Sequence, residues 1–251
     1  MTEKPKKPES TNLRIRRTAV NVIMVCLALI VVVSGIKVFT IIRDYRANQA
    51  VYDKVSEQAQ KDGFTGDIDF DALRAINPDV VGWLYYEDTP VNYPVVQGTD
   101  NDKYLNTMFD GTWGSFGTLF VDSVTEAPFR QFNTIVYGHH MKDGSMLAAL
   151  SKLKDSSFCA DHPRFELVTP DGKYHLDIWA FLNQPSDSSI YVTNINGSEA
   201  QAEFISLAED LADYITSVSV VPGDRLVLLS TCAYEYDEAR YIAVCKMTPW
   251  E

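Results

Sequence analysis

The sequence predicts a mainly β domain, a sandwich or a barrel, that carries helical insertions and follows one membrane-spanning helix. Three observations predict it: short β-branched and aromatic runs separated by turn residues, stretches of helical periodicity around those runs, and one uninterrupted apolar segment near the N-terminus. Regularly spaced short runs of this kind are typical of sandwiches and barrels. With 251 residues and 46% hydrophobic composition, the chain is long enough for one sizeable core.

The apolar segment covers residues 18–36, contains no charged residue, and is interrupted only by Asn21 and Ser34. A bilayer core of roughly 30 Å needs about 20 helical residues, which this segment nearly supplies. A cleaved signal peptide is the alternative, but its apolar region is usually only about 7–15 residues long. We therefore predict an uncleaved membrane anchor.

Charge is distributed unevenly along the chain, whose formal net charge is −12. Residues 1–17 carry six basic and two acidic side chains, a net charge of +4, which leaves −16 for the remainder. The positive-inside rule then predicts a cytoplasmic N-terminus, with the acidic remainder outside the membrane. The acidity also argues against nucleic-acid binding, because phosphate contacts need a basic face.

The predicted organisation has four parts. They are a basic cytoplasmic tail at residues 1–17, the anchor at 18–36, a helical juxtamembrane segment at 37–69, and a β domain at 70–251. The expected location is therefore the cell membrane, crossed once, with the β domain outside.

Helical spacing of apolar residues predicts a helix over residues 43–63 and a shorter helix that ends before Pro78. Eight strands are then predicted, at residues 80–86, 90–97, 117–122, 132–139, 164–170, 173–182, 225–231 and 241–246. Two helical insertions interrupt these strands, at residues 144–153 and 198–215.

The second insertion has a predicted start and a predicted buried face. Ser198 and Gln201 have the spacing of a capping box. The apolar residues that recur at helical spacing are Phe204, Leu207, Leu211 and Ile215. We expect this face to pack against the β domain.

The strand at residues 225–231 runs into Cys232, and the next strand begins just after Arg240. If the two strands form an antiparallel hairpin, the end of one lies beside the start of the other. An arginine placed there can hydrogen-bond an oxyanion and favour a thiolate over a thiol. The alternatives are a structural cysteine and an ordinary surface charge beside Asp237 and Glu238.

A thiolate nucleophile needs a proton donor for its leaving group, and the chain has four histidines. His162, in a predicted turn, and His175, in a predicted strand, are most simply packing or solvent-facing residues. His139 and His140 follow a strand that ends in Gly138, which we expect to let the backbone turn. Because neighbouring strand residues point to opposite faces, only one of the pair should face a shared site, and the pair is a poor metal chelator.

The remaining cysteines do not define a metal site or a disulfide. Cys26 lies in the anchor, whereas Cys159, Cys232 and Cys245 lie outside it. An odd number cannot all pair, so at least one thiol is left over, and pairing of the other two stays open. No Cys/His spacing typical of zinc sites is present.

Two motifs resemble those of sortases, the membrane-anchored cysteine transpeptidases of Gram-positive bacteria. They are LLSTC, with Arg240 eight residues after the cysteine, and YGHHMKDGSM upstream. Residues 77–106 resemble the class B branch, and the resemblance as a whole covers roughly residues 70–247. It implies a closed, sortase-type β-barrel with N-terminal helices and a helix inserted before the last strands.

The resemblance also implies roles for individual residues. By position, Cys232 matches the family nucleophile, Arg240 its arginine and His139 its histidine. Ser230 and Thr231 fill the family's Ser-Thr before the cysteine and are expected to bind substrate, although packing accounts for them equally well. No metal ion or other cofactor is expected.

The implied reaction cleaves a C-terminal sorting signal, related to Leu-Pro-x-Thr-Gly or Asn-Pro-x-Thr-x, after its Thr. The expected partners are secreted proteins that bear such a signal and an amine of a cell-wall precursor or of peptidoglycan, to which they are transferred through a thioester. Two alternatives stay open: an extracellular cysteine protease that hydrolyses the same acyl-enzyme, and a non-catalytic surface binding module in which Cys232 only packs.

Overall fold

A computed structural model describes residues 11–60, 63–232 and 238–250, with the side chains of residues 11–14 and Cys232 left out. Residues 1–10 of the predicted basic tail lie outside the described residues. The chain divides into two units, residues 1–47 and 48–251.

Helix α1, Thr11–Ala59, includes the predicted anchor and most of the helix predicted after it. It is long and apolar enough to cross a membrane. Its large apolar side chains between Val20 and Ile42 are exposed, which suits a helix whose surroundings are lipid. In the second unit, Tyr52 and Val55 of the last turns are buried in the β domain. The helix ends before the predicted stop at Gly63.

Helix α2, Phe70–Ile76, confirms the short helix predicted before Pro78. The Asp69 side chain accepts a hydrogen bond from the backbone N–H of Ala72 at 2.9 Å and so caps the first turn. Asn77 takes an extended conformation, as the residue before a proline usually does.

Within the described part of the chain, nine strands form one sheet. Their bounds are β1 Val80–Tyr85, β2 Asn92–Val96, β3 Leu119–Val121, β4 Asn133–Gly138, β5 Arg164–Thr169, β6 Gly172–Pro185, β7 Tyr214–Ile215, β8 Arg225–Cys232 and β9 Ala239–Pro249. Neighbouring strands follow the order β5-β1-β2-β3-β4-β8-β9-β6, and β6 pairs again with β5. Eight strands therefore close into a barrel, with β7 added at the side of β6. The predicted fold class is confirmed.

Helical elements fill the connections between strands. They are two 3₁₀ helices, Lys103–Leu105 and Leu147–Lys154, and two α-helices, α3 Ser156–Asp161 and α4 Ser198–Leu211. The first predicted insertion is thus mainly a 3₁₀ helix, and the second is the predicted helix before the last strands.

Helix α4 differs from its prediction at both ends. Its N-cap is Gly197, with φ 86° and no side-chain capping bond, so the capping box was wrong. The Gln201 side chain instead accepts a hydrogen bond from the Gly223 N–H at 2.9 Å. The helix stops at Leu211 because the backbone that follows it pairs with strand β6 and forms β7. Ile215 therefore lies in β7 and is 45% exposed.

Apolar side chains pack on both faces of the barrel wall. On the outer face, Leu226 and Leu228 of β8 join a buried cluster with Phe204 and Ile205 of α4. Because strand side chains alternate, the buried Val227 and Leu229 of β8 face the barrel interior. Helix α4 and the loop before it therefore build a second wall beside the outer face of β8.

Candidate active site

Strand register brings three segments to one rim of the barrel. Strand β4 runs parallel to β8, with Gly138 opposite Thr231, so His139 follows immediately beyond that pair. Strand β8 runs antiparallel to β9, with Cys232 opposite Arg240. The predicted hairpin is confirmed, and the backbones of the histidine, cysteine and arginine segments meet at adjacent strand ends.

A cavity of about 270 Å³ opens at this rim. Its lining residues are Asn101, Tyr104, Leu105, Thr118, Phe120, Tyr137, Gly138, His139, Ser186, Tyr191, Ser230, Thr231 and Arg240. Four of them, His139, Ser230, Thr231 and Arg240, are residues that the sequence singled out. The side chain of Cys232 is outside the described part of the chain. Its backbone directly follows Thr231 at the end of β8.

The Arg240 side chain is 24% exposed and is bound by the two residues that precede it in the chain. Nη1 donates to the Ala239 carbonyl at 3.0 Å, and Nη2 donates to Glu238 Oε2 at 3.2 Å. Ser186 Oγ also donates to Glu238 Oε2, at 3.0 Å. Arg240, for which an ordinary surface charge beside Asp237 and Glu238 was one interpretation, therefore pairs with Glu238, whereas Asp237 lies outside the described residues.

This ion pair leaves Arg240 able to take another partner. The Glu238 side chain is 71% exposed, and an exposed ion pair contributes only about 0–1 kcal/mol. An oxyanion in the adjoining cavity can compete for the same guanidinium N–H groups at little cost, because an arginine carries five donors. Arg240 thus forms a surface ion pair and also lines the cavity, and its role in the site stays a prediction.

His139 is fixed through its Nε2 atom, which lies 2.7 Å from the Leu105 carbonyl oxygen. A carbonyl oxygen only accepts hydrogen bonds, so Nε2 carries the hydrogen. In the neutral ring, Nδ1 is then the nitrogen left to accept a proton. The contact with the Leu105 carbonyl holds the imidazole in the tautomer that carries its hydrogen on Nε2. Nδ1 takes no part in this contact.

The neighbouring His140 belongs to a different cavity, lined also by Met141, Lys142 and Lys152. Its backbone bridges to Met146, and its ring lies 6.0 Å from that of Tyr241. His139 thus lines the cavity together with Arg240, whereas His140 lines a different one.

Gly138 has a different role from the predicted one. It lies within β4, and its φ is not among the positive values of the described glycines, so it makes no special turn. A Cβ atom here would overlap the Leu119 side chain and lie 2.8 Å from Leu147 Cγ. Glycine is needed because β4 packs too closely on these leucines to leave room for a side chain.

Ser230 and Thr231 both line the cavity while being almost fully buried, at 1% and 2% exposure. Ser230 Oγ lies 2.8 Å from the Tyr191 hydroxyl oxygen. Thr231 Oγ1 has no hydrogen-bond partner among the described residues. Substrate binding by these two side chains stays a prediction.

Tyr137 forms a fixed wall of the cavity. Its hydroxyl donates to Asp122 Oδ2 at 3.0 Å. Burial, followed by the charge of Asp122, raises the pKa of Tyr137, and the positive charge of Arg240 opposes that shift. The phenol therefore stays neutral and keeps donating to Asp122.

Sequence reasoning missed Tyr137, Tyr191 and Leu105 as site residues. Tyr137 had a signal, because Ile135, Tyr137 and His139 recur at the period of two that places strand residues on one face. Tyr191 lies in a connection without periodicity. Leu105 contributes a backbone carbonyl to a histidine 34 residues away, and no side-chain pattern announces such a contact.

The other two histidines are held elsewhere. His175 Nδ1 lies 2.6 Å from Glu166 Oε2, its partner across the β5–β6 ladder. His162 caps α3 and lies 3.2 Å, through Nδ1, from the Phe158 carbonyl. Neither lines the cavity, in agreement with their interpretation as packing residues.

The cysteines at 159 and 245 are free and buried. Burial raises the pKa of the Cys159 thiol and of the Cys245 thiol. A thiol held protonated in apolar surroundings is a poor nucleophile. Neither is a rival to Cys232 as a reactive group.

Comparison with known proteins gives the class to which this fold and site belong. Residues 84–248 match the family model of the sortase domain. Sortase B of Listeria monocytogenes is 31% identical over 222 residues, which are 85% of this chain and 90% of that protein. Sortase B of Staphylococcus aureus is 28% identical over 90% of this chain and 95% of its own length. The chain belongs to the sortase family, and it is an enzyme, a cysteine transpeptidase of the cell wall.

Solved structures agree. The S. aureus sortase B–substrate complex has a TM-score of 0.74 and 28% identity, covering 83% of this chain and 100% of that one. Bacillus anthracis sortase B in complex with AAEK1 has a TM-score of 0.74 and 30% identity, covering 83% of this chain and 100% of that one. Clostridium perfringens sortase B has a TM-score of 0.68 and 28% identity, covering 72% of this chain and 100% of that one. Within the family, the similarity is to the class B branch. A non-catalytic module is thereby ruled out.

Proposed function

We propose that this transpeptidase cleaves the C-terminal sorting signal of secreted proteins after its Thr and transfers them to an amine of the cell-wall peptide. Cys232 is the nucleophile, Arg240 the oxyanion ligand and His139 the acid and base. One observation carries the proposal: strand register pairs Cys232 with Arg240 and sets His139 just beyond Gly138, and His139 and Arg240 line one cavity.

In the first half-reaction, the Cys232 thiolate attacks the Thr carbonyl carbon and the carbonyl oxygen becomes an oxyanion. Arg240 donates hydrogen bonds to that oxygen, leaving its exposed partner Glu238. The C–N bond then breaks, and the departing amine takes the Nδ1 proton of a protonated His139. The products are a thioester on Cys232 and the released end of the sorting signal.

In the second half-reaction, the incoming amine attacks the thioester carbonyl. His139, now neutral, accepts the amine proton at Nδ1, while the Leu105 carbonyl keeps Nε2 protonated and the ring in place. Collapse of the second oxyanion restores the Cys232 thiolate and leaves a new amide bond. Arg240 serves both oxyanions.

The cavity supports a peptide ligand. Its apolar side is formed by aromatic residues and Leu105, and its polar side by the hydroxyls of Ser230 and Tyr191. Ser230 and Thr231 are proposed to contact the sorting signal. Solved sortase B structures include a substrate complex and a complex with a glycine tripeptide, which supports a peptide and an amine as the two ligands here.

The proposed placement in the cell follows from the apolar part of α1. Residues 18–36 cross the membrane once, the basic tail at 1–17 stays in the cytoplasm, and residues 37–69 connect the anchor to a catalytic domain at 70–251 outside. The anchor keeps enzyme, substrate protein and lipid-linked acceptor on one surface, which raises their effective concentration.

Transfer and hydrolysis are separated by adding an amine. The full chain in detergent is incubated with a sorting-signal peptide, with and without triglycine, and the products are resolved by mass. We expect ligation of triglycine to the Thr end and a matching fall in the free acid. Hydrolysis that is unchanged by the amine would instead support a cysteine protease.

Replacing Arg240 with lysine is expected to lower kcat/KM for this peptide by about 10²-fold, because a lysine lacks the fork that donates two hydrogen bonds to one oxyanion. Arg130→Lys is the matched control, since Arg130 is exposed and pairs with Asp171 away from the cavity. Equal kinetics for the two variants would remove Arg240 from the mechanism.

A further inference from the structure

Trp113 is the most exposed large apolar side chain that the structure describes, at 78%. It is more exposed than any large apolar side chain of the anchor helix, of which Val31 reaches 70%. The other tryptophans are covered: Trp83 and Trp179 are buried, and the Trp250 ring stacks on Phe64. An indole left in water forgoes the largest apolar burial that a single side chain offers, roughly 200 Å².

The exposure is built into an ordered loop. Trp113 forms a β-bridge with Thr107, and the Gly114 N–H donates to the Asn106 carbonyl at 3.0 Å. These contacts close the base of the loop and hold the indole at its surface. The exposed position is therefore a fixed feature of the fold.

The loop is tied to the part of α1 that leads out of the anchor. Asn48, itself 8% exposed, donates through Nδ2 to Ser115 Oγ at 2.9 Å, two residues from Trp113. Asn48 lies twelve positions after Ile36, the last residue of the anchor. Twelve residues span at most about 40 Å even when fully extended, so chain connectivity alone limits the distance between this loop and the membrane surface.

We propose that Trp113 inserts into the headgroup region of the bilayer that holds the anchor, as a second contact between the catalytic domain and the membrane. This inference rests on the membrane anchoring in the proposed function. Tryptophan favours the membrane interface because its ring is apolar and its indole N–H can bond to polar groups there. The connecting stretch at residues 43–47 carries Arg43, Asp44 and Arg46, a net charge of +1 that favours anionic lipid headgroups.

A protein partner fits this surface less well. A specific protein interface buries about 800 Å² on each side, several times what one indole supplies. The other side chains at the tip, Asp110, Thr112 and Ser115, are polar. One aromatic anchor in a polar loop matches a lipid interface.

The contact would set the position of the catalytic cavity. The 3₁₀ helix Lys103–Leu105 directly precedes the loop, and the carbonyl of Leu105 holds His139. The Asn106 carbonyl, one residue on, closes the base of the loop. A loop fixed at the membrane surface therefore constrains the height of the histidine side of the cavity above that surface.

Tryptophan quenching by lipids tests this directly, because all four tryptophans lie outside the anchor. The full chain is reconstituted into vesicles of phosphatidylcholine and phosphatidylglycerol that carry a doxyl quencher either near the headgroup or near the end of the acyl chain. Trp113→Phe and, as the matched control, Trp250→Phe are measured beside the wild type. Flotation of the vesicles first establishes that each protein is membrane-bound.

We expect the shallow quencher to reduce the tryptophan fluorescence of the wild type and of Trp250→Phe by about the contribution of one tryptophan. The fluorescence of Trp113→Phe should stay unchanged. The deep quencher should have a smaller effect. Equal quenching of Trp113→Phe and wild type, or none in either, would overturn the Trp113 contact while leaving the anchor intact. Failure of the chain to float with the vesicles would overturn the anchoring itself, and this inference with it.

Discussion

Cys232→Ala is expected to abolish turnover of sorting-signal peptides, with a fall in kcat of at least about 10³-fold. The reason is that the thioester cannot form without the sulfur, and the remaining groups of the cavity act only on that intermediate. The measurement is cleavage of an internally quenched peptide carrying Asn-Pro-x-Thr or Leu-Pro-x-Thr by the full chain in detergent.

Cys159→Ala provides the control for loss of a thiol as such. Cys159 is buried in α3, away from the cavity, and burial keeps its thiol protonated. This variant is expected to turn over peptide at close to the wild-type rate. Undiminished turnover by Cys232→Ala would end the proposed mechanism.

His139→Ala is expected to lower kcat by about 10²–10⁴-fold, the usual contribution of a positioned general acid and base. His140→Ala should retain most of the activity, because His140 lies in a different cavity from Arg240. The two residues are adjacent in sequence, so each variant controls for general disturbance of the segment that follows β4. Steady-state kinetics with the same peptide measure both.

The opposite ranking would contradict the assignment. A silent His139→Ala together with an inactive His140→Ala would mean that the ring at 140 supplies the proton. The Leu105 carbonyl would then hold a purely structural histidine.

Much of the barrel could be predicted from local pattern. All eight predicted strands exist because β-branched and aromatic runs bounded by turn residues leave the chain few other ways to bury its apolar side chains. The apolar segment at 18–36 was equally plain, since its length matches a bilayer core. These features depend on residues close together in the sequence.

Features set by distant partners could not be predicted in the same way. Strand β7 exists because the edge of β6 pairs with Tyr214 and Ile215, which continue the helical apolar pattern of α4. The capping box failed because Gln201 bonds to Gly223 instead. In both cases a tertiary contact overrode a local preference.

The candidate site likewise contains residues that local pattern predicts and residues that only distant contacts define. Cys232 and Arg240 could be placed together because a hairpin fixes their register. Alternation of strand side chains predicted that only one of His139 and His140 faces the site, and the resemblance to sortases selected His139. Tyr191 could not be found, since its contact with Ser230 joins a loop to a strand 39 residues away. The roles of Ser230 and Thr231 stay predictions.

The most direct measurement of the central claim is mass spectrometry of the full chain, trapped during turnover of a sorting-signal peptide. An adduct with the mass of the peptide through its Thr, released by hydroxylamine and mapped to Cys232, is the expected result. Turnover that proceeds with no adduct on Cys232, or with the acyl group on another residue, would contradict the account.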